Sequence, residues 1–348
     1  MVNFIGFPET KLKQLFADWG VPAYRVGQVF NWVYHRRIWD FSEMTNLSKD
    51  LRARLSEHFK ISLPRIAARN HSRDGSIKYL FELENGSQVE SIWMPDETRK
   101  TLCVSSQVGC RLACSFCLTA SLGLKGNLTA GEIIGQYLAV NQDLPEKDQT
   151  TNVVMMGMGE PLDNYDAVCD ALRLMVSPQA LRISNRKITL STAGLVDRIR
   201  RFAQESIHVN LAISLNATED ATRDQIMPIN KKYPIQTLMN CLKEYPLKPT
   251  RRITFEYVLL KDINDSDADA RRLAILLSGI RSKINLIPFN GYEGAAYQTP
   301  SEERVTAFQN YLIQKKFSAF IRKNRGTDIL GACGQLAAAQ PSCTSAGG

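Results

Sequence analysis

The sequence predicts an α/β fold: a parallel sheet, open or curled into a barrel, preceded by a small helical module and a β-hairpin. Three observations predict it. Six near-continuous apolar runs of strand length alternate with helical patterns over most of the chain. Residues 8–60 carry helical spacing only, and from residue 77 the hydrophobic period changes to two.

At 348 residues the chain is long enough for two domains, or for one large α/β domain with an appendage. Its 44% apolar and 22% charged residues are ordinary for a soluble globular protein. No run of about 18 apolar residues occurs, so no membrane-spanning helix is expected. The opening "MVNFIGFPETKLKQLF" lacks the basic start and apolar core of a signal peptide. A cytoplasmic location is expected, and clustered thiols there point to metal binding or catalysis rather than to disulfides.

In "YRVGQVFNWVYHRR", Val26, Val29, Phe30, Val33 and Tyr34 form one apolar helical face, with Arg25, Trp32, Arg36 and Arg37 off it. Trp32 could stack on a base, the plain alternative being an incidental exposed aromatic. Residues 1–75 hold twelve Lys/Arg against seven Asp/Glu, five of the chain's net charge of +8. Further on, "KKFSAFIRKNRG" adds Lys315, Lys316, Arg322, Lys323 and Arg325 with no acid. Basic excess segregated in this way suggests a polyanion such as nucleic acid, the plain alternative being a solvated basic surface.

"IKYLFELENGSQVESIWM" alternates on either side of Asn85-Gly86, a strong hairpin signal. Thr129 and Glu132 make a capping box before an apolar helix. Beyond the strand "TLCVS", strand-like runs follow at 152–157, 187–191, 209–215, 253–260 and 284–289, separated by helical patterns such as "YDAVCDALRLMV" and "ERVTAFQNYLIQ". Cys169 and Cys241 fall on apolar helix faces and are expected in the core. The tail "AAAQPSCTSAGG", with Cys343, is expected to be disordered.

Chemistry concentrates in "TLCVSSQVGCRLACSFCLTA", where Cys110, Cys114 and Cys117 are spaced C-x3-C-x2-C and Cys103 stands apart. Three neighbouring thiolates need a cation, and such loops select zinc or iron–sulfur clusters. A structural zinc site needs four ligands, and neither a second C-x2-C nor an H-x3-H occurs. Three ligands therefore imply a site left open. If the sheet is a barrel, ligands gather at the C-terminal strand ends. Those ends carry Gly159 and Glu160, then Ser191, then Ser214, Leu215 and Asn216, then Asn290. Gly159 would let backbone approach a ligand, and Glu160 could accept a bond from an ammonium.

The cysteine spacing, with Phe116 before the last cysteine, resembles the radical S-adenosylmethionine (SAM) superfamily. "CVSSQVGCRLACSFC", "GMGEPLDNYDAV", "MPINKKYP", "KINLIPFN" and "RGTDILGACGQLA" narrow the resemblance to the RlmN/Cfr family of RNA adenine methyltransferases, from the helical module through Ala337. The resemblance implies a partial (β/α)6 barrel over 99–325, a helical RNA-binding domain over 1–75, a hairpin extension over 76–98, and a catalytic-cysteine loop with a flexible tail over 326–348. It implies a [4Fe–4S] cluster on Cys110, Cys114 and Cys117 with SAM on the open iron, and two SAM molecules per turnover. Gly159, Glu160, Ser191, Ser214, Leu215, Asn216 and Asn290 would bind SAM.

It further implies the following course. One SAM methylates Cys333; a 5′-deoxyadenosyl radical from a second takes hydrogen from the S-methyl group. The methylene radical adds to C2 of an adenine, Glu90 removes the C2 proton, and Cys103 attacks the sulfur of Cys333 to release the product. That last step is thiol–disulfide chemistry in outline. Without the resemblance, Cys333 in its glycine-rich loop and Cys103 on its strand would be core cysteines, and Glu90 a solvated carboxylate on an alternating strand. The implied substrates are 23S rRNA, in the peptidyl-transferase centre, and the tRNA adenine 3′ of the anticodon. A flavodoxin or ferredoxin would be the electron donor, with no membrane and a monomeric chain. "SLNA" replaces the family's frequent "SLHA", so any side-chain role at 216 falls to the amide of Asn216. Methylation at C8, or a non-catalytic RNA-binding protein with a zinc loop, are the rival readings.

Overall fold

The computed structural model describes residues 1–337, so the tail beyond Ala337 and Cys343 lie outside the described residues. In the N-terminal module, β1 (Val2–Asn3) pairs in parallel with β2 (Phe59–Lys60), tying its two ends together. Helices α1 (Glu9–Asp18), α2 (Tyr24–Phe30) and α3 (Lys49–His58) pack between them. Phe4 is its centre, meeting Phe30, Phe41 and Phe59 edge-on at 5.7, 5.7 and 5.4 Å. Val26, Val29, Phe30, Val33 and Tyr34 are all buried, as the helical spacing requires. Trp32 departs from expectation. It is only 8% exposed, its indole N–H donates to Asn46 Oδ1 at 2.5 Å, and the Arg36 guanidinium covers its ring at 4.2 Å. The residues after the helix fold back over it, so no face is left for a base.

Ten strands of the described residues form one sheet. Its antiparallel part is β3 (Arg65–His71), β4 (Ile77–Glu82) and β5 (Gln88–Pro95), each paired with the next, and β5 pairs with β6 (Lys100–Cys103). The hairpin closes at Asn85-Gly86, with Leu83 N–H on Ser87 O at 2.8 Å. A small separate ribbon, β7 (Gln107–Gly109) with β8 (Leu124–Asn127), carries the cysteine loop. From β6 the sheet runs parallel through β9 (Asn152–Met155), β10 (Ile188–Thr192), β11 (Asn210–Ser214), β12 (Ile253–Leu259), β13 (Ser282–Pro288) and β14 (Ala319–Ile321).

Helices fill the connections: α4 (Leu118–Ser121), α5 (Ala130–Asp143), α6 (Tyr165–Val176), α7 (Val196–Phe202), α8 (Asp220–Ile226), α9 (Ile235–Glu244), α10 (Asp267–Leu276) and α11 (Glu302–Gln314). Sequential order with a helix in nearly every crossover is the partial (β/α) barrel expected. Its central strands β10, β11 and β12 are largely buried on both faces, which is why they read as continuous apolar runs. The capping box of Thr129 and Glu132 starts α5. Cys169 and Cys241 are buried in helices α6 and α9. The module sits directly on α5: Arg37 donates to Asn141 O at 3.0 Å and to Gln149 Oε1 at 2.8 Å.

Candidate active site

The cysteine loop begins where β7 ends. Gly109 has φ +76°, and a Cβ there would lie 1.8 Å from Gly123 O, so only glycine lets the ends of the loop close. Cys110 N–H completes the closure on Gly123 O at 3.0 Å. Between these ends Cys110, Cys114 and Cys117 line one cavity at the C-terminal ends of the barrel strands. From the predicted set, Gly159, Glu160, Ser191, Ser214, Asn216, Asn290 and Cys333 line the same cavity. Leu215, Cys103 and Glu90 lie outside that lining.

Burial pushes the Cys110 thiol up to about 12, and neighbouring negative charge from Glu160 and Cys117 adds to it. Cys114 is raised by burial and then by its two companion thiols. Cys117 is raised by burial, against N–H donors in the first turn of α4. Three thiols that disfavour one another's ionisation are a donor set for a soft cation, and they leave further coordination open to the cavity. Among the described residues no three His, Cys, Asp or Glu side chains converge as a ready-made metal group. The fit is thus one of donor chemistry and placement: three sulfurs on one loop, facing one cavity.

The strand ends hold the rest. Glu160 Oε2 accepts Ala193 N–H at 2.8 Å and Oε1 accepts Leu162 N–H at 3.1 Å. Burial raises its carboxyl to about 7 against those hydrogen bonds. Gly159 is also glycine for a reason that its sequence context does not show. At φ +101°, a Cβ would lie 2.5 Å from Gln107 Cβ, so the close approach is to Gln107, whose Oε1 accepts Glu160 N–H at 2.8 Å. Asn216 takes φ +56°; its Oδ1 accepts Val258 N–H at 2.8 Å and its Nδ2 faces Met227 Sδ at 3.2 Å. The amide therefore fixes the β11–β12 ends from within the protein. Leu215 is fully buried and offers backbone only: its carbonyl accepts from Arg223 Nε at 2.9 Å.

Cys333 arrives on the loop after β14. Gly334 O accepts Leu118 N–H at 2.6 Å, Thr119 Oγ1 donates to Leu336 O, and Gln335 Nε2 donates to Asn290 O at 3.1 Å. The loop is thereby laid against the cysteine loop and the end of β13. Cys333 is exposed into the cavity, where burial and then Glu256 push its thiol up to about 11. Cys103 ends β6, opposite Ile92 and Val154, and is buried. Burial raises its thiol strongly, and negative charge at Cys333 raises it further. Both are free thiols here.

Glu90 is no solvated carboxylate. It is 6% exposed, its Oε1 lies 3.0 Å from Lys78 Nζ, and its Oε2 accepts Ala337 N–H at 2.9 Å. Alternation had turned it outward, but the C-terminal loop covers that face. Arg223, Gln107, Glu256 and Lys78 are site residues that sequence reasoning missed. All four are buried polar side chains, and nothing in their local pattern marks them.

Two stretches of the chain match known families. Residues 2–61 match the family profile described as the ribosomal RNA large subunit methyltransferase N-terminal domain, and residues 104–274 match that of the radical SAM superfamily. A curated dual-specificity RNA methyltransferase RlmN from Cereibacter sphaeroides is 49% identical over 97% of this chain and 90% of its own. That of Geobacter sulfurreducens is 48% identical over 97% and 92%. The crystal structure of a radical SAM methyltransferase from Sphaerobacter thermophilus is similar with a TM-score of 0.90 and 40% identity, covering 97% of this chain and all of that one.

Proposed function

Because the chain belongs to the RlmN family of dual-specificity RNA methyltransferases, we propose that it methylates C2 of one adenine in 23S rRNA and of one in tRNA. As a radical SAM enzyme it uses a [4Fe–4S] cluster and S-adenosylmethionine. Together these supply, when bound, a methyl group and a hydrogen-abstracting radical. The observation that carries the reading is the shared cavity: three cysteines of one loop, the polar ends of four strands and a thiol from far along the chain all border it.

Cys110, Cys114 and Cys117 hold the cluster. Gly159, Glu160, Ser191, Ser214, Asn216 and Asn290, with the backbone of Leu215, hold SAM. Cys333 would give up its thiol proton and take the methyl group from S-adenosylmethionine. After one methyl hydrogen is lost to the radical, the remaining CH2 would bridge to adenine C2, and as C2 loses its proton one electron would pass back to the cluster. Glu90 accepts the C2 proton, exchanging its bond to Ala337 N–H for one to the substrate. The Cys103 thiolate then attacks the sulfur of Cys333: an S–S bond forms, the S–CH2 bond breaks, and its electron pair takes up a proton to complete the methyl group. An external thiol reopens the disulfide. Residues 1–75 and the exposed Lys315, Lys316, Arg322 and Lys323 supply positive charge toward RNA. A flavodoxin or ferredoxin delivers the electron, and the chain works as a cytoplasmic monomer; among the described residues no helix is long and apolar enough to cross a membrane.

The test is mass spectrometry of adenosines from rRNA and tRNA incubated with anaerobically prepared enzyme. 2-Methyladenosine in both is expected; 8-methyladenosine as sole product, or a colourless protein with one zinc, refutes the reading. Cys103→Ala should accumulate a covalent protein–RNA adduct and Cys333→Ala none.

A further inference from the structure

Arg223, on α8, is the largest fully buried side chain of the described residues. Every hydrogen bond it makes goes to a neutral acceptor. Nε donates to Leu215 O at 2.9 Å, Nη2 to Ala193 O at 2.7 Å and Ser214 O at 3.2 Å, and Nη1 to Asn230 Oδ1 at 3.1 Å. Asp220 and Asp224 act on it by charge but make no hydrogen bond to it; they bind instead Asn230, whose Nδ2 donates to them at 2.9 and 2.7 Å. Burying a guanidinium without a direct counter-ion is costly. Burial lowers its pKa only to about 10, so it stays charged at neutral pH. A leucine or methionine would fill such a space more cheaply, so the charge calls for a use.

Its position suggests one. The three backbone carbonyls it gathers are at the ends of β10 and β11, under the cavity. The helix that carries it is tied to the cysteine loop: Ser115 N–H donates to Ile226 O at 3.1 Å and Ser115 Oγ to Gln225 O at 3.4 Å. The cysteine loop is therefore held beside α8 next to Cys114, and Ala193 and Ser214, whose carbonyls Arg223 binds, line the same cavity as Cys114.

We propose that Arg223 is a positioning residue of the cluster site, fixing the β10 and β11 ends while its buried charge favours the reduced, more negative state of a cluster held by Cys114. This rests on the reading that Cys110, Cys114 and Cys117 hold a [4Fe–4S] cluster. The physical basis is Coulombic: a fixed cation stabilises whichever state carries the extra electron, and inside the protein salt screens it little. Net charge near the cluster is one of the levers that set such potentials.

The experiment is redox titration of the cluster, followed by electron paramagnetic resonance, in reconstituted wild type, Arg223→Lys and Arg223→Gln. Arg223→Gln is expected to lower the reduced-to-oxidised ratio at a fixed potential at least tenfold, a shift of about 59 mV to more negative values. Arg223→Lys keeps the charge and loses the carbonyl fan, so its potential should stay at the wild-type value while its melting temperature falls as far as that of Arg223→Gln. Equal potentials in all three, equal shifts in both variants, or failure of both to retain a cluster that wild type retains would each overturn the proposal. If Arg223→Gln alone does not load, a wild-type potential in Arg223→Lys supports the proposal and a lowered one overturns it. Absence of iron and sulfide from wild type would instead sink the cluster reading itself.

Discussion

Replacing Lys78 by Met isolates the buried carboxylate that holds Ala337 of the C-terminal loop. Lys78 Nζ and Glu90 Oε1 are 3.0 Å apart, and both side chains are under a tenth exposed. At an effective dielectric of about 20 their attraction is about 5 kcal/mol. Withdrawing each ion from water costs several kcal/mol, so the intact pair is close to neutral for stability. Deleting one partner is another matter, because the desolvation of Glu90 remains while the attraction goes. Lys78→Met should therefore cost about 3–5 kcal/mol. Lys78→Met with Glu90→Leu removes both charges and leaves Ala337 N–H without its acceptor, at about 1–3 kcal/mol, and Leu330 O without the longer bond from Lys78 Nζ at 3.5 Å. The double variant should thus be more stable than Lys78→Met alone. The assay is urea unfolding of identically prepared wild type, both single variants and the double, treated as a double-mutant cycle. A Lys78→Met cost below about 1 kcal/mol, or costs that simply add, would show that the ion pair is not coupled as its geometry requires.

Two further outcomes follow from the same loop. A Cβ on Gly331 would lie 2.5 Å from Ile92 Cδ1, so Gly331→Ala should cost about 1–3 kcal/mol by overpacking, and Ile92→Val, which deletes that atom, should recover most of it in thermal melts. Asp74 has its carboxyl raised by burial but more strongly lowered by the N–H groups of Ser76 and Gly326, at 2.9 and 3.0 Å, leaving it at about 2. A depressed carboxyl stabilises the fold above its unfolded value of about 3.9 and loses that contribution as pH falls toward 2. Asp74→Asn should hence be less stable than wild type at pH 5–7, with the gap narrowing below pH 4; a gap that is constant with pH would show that the carboxylate's charge is not what matters.

The parallel strands were legible because burial on both faces writes itself as an unbroken apolar run, and the cluster loop because three thiols in eight residues have few uses. What escaped did so for physical reasons. β3, "RIAARNH", is an edge strand with mostly exposed side chains, so no alternation marks it. β14 is three residues at the opposite edge, with Phe320 and Ile321 exposed, and sits inside what reads as a basic stretch. Glu90 was legible only through the resemblance, since period-two spacing says which way a side chain points and not what lies there. The covering chain comes from 247 residues away. Arg223 is one arginine in "DATRDQI", and its burial depends on strand ends that come before it and on Asn230 after it.

The ties of the C-terminal loop also decide which sulfur must move if the two are to meet. Cys103 is fixed in β6, hydrogen-bonded into the sheet between β5 and β9, and takes no part in the cavity lining. Cys333 stands in the cavity wall on a segment whose anchors lie on either side of it. Before it, Asp328 accepts from Ser72 Oγ at 2.5 Å and Arg73 N–H at 3.1 Å, and Gly326 N–H binds Asp74 at 3.0 Å. After it come Gln335 on Asn290, Thr119 on Leu336 and Glu90 on Ala337. A strand within a sheet cannot shift a thiol without breaking two ladders, whereas a short span between anchors can change its backbone dihedrals at the cost of a few turn contacts. Gly331 and Gly334 flank Cys333 in that span. On the proposed course, Cys333 is thus the partner that moves and Cys103 the one that stays fixed.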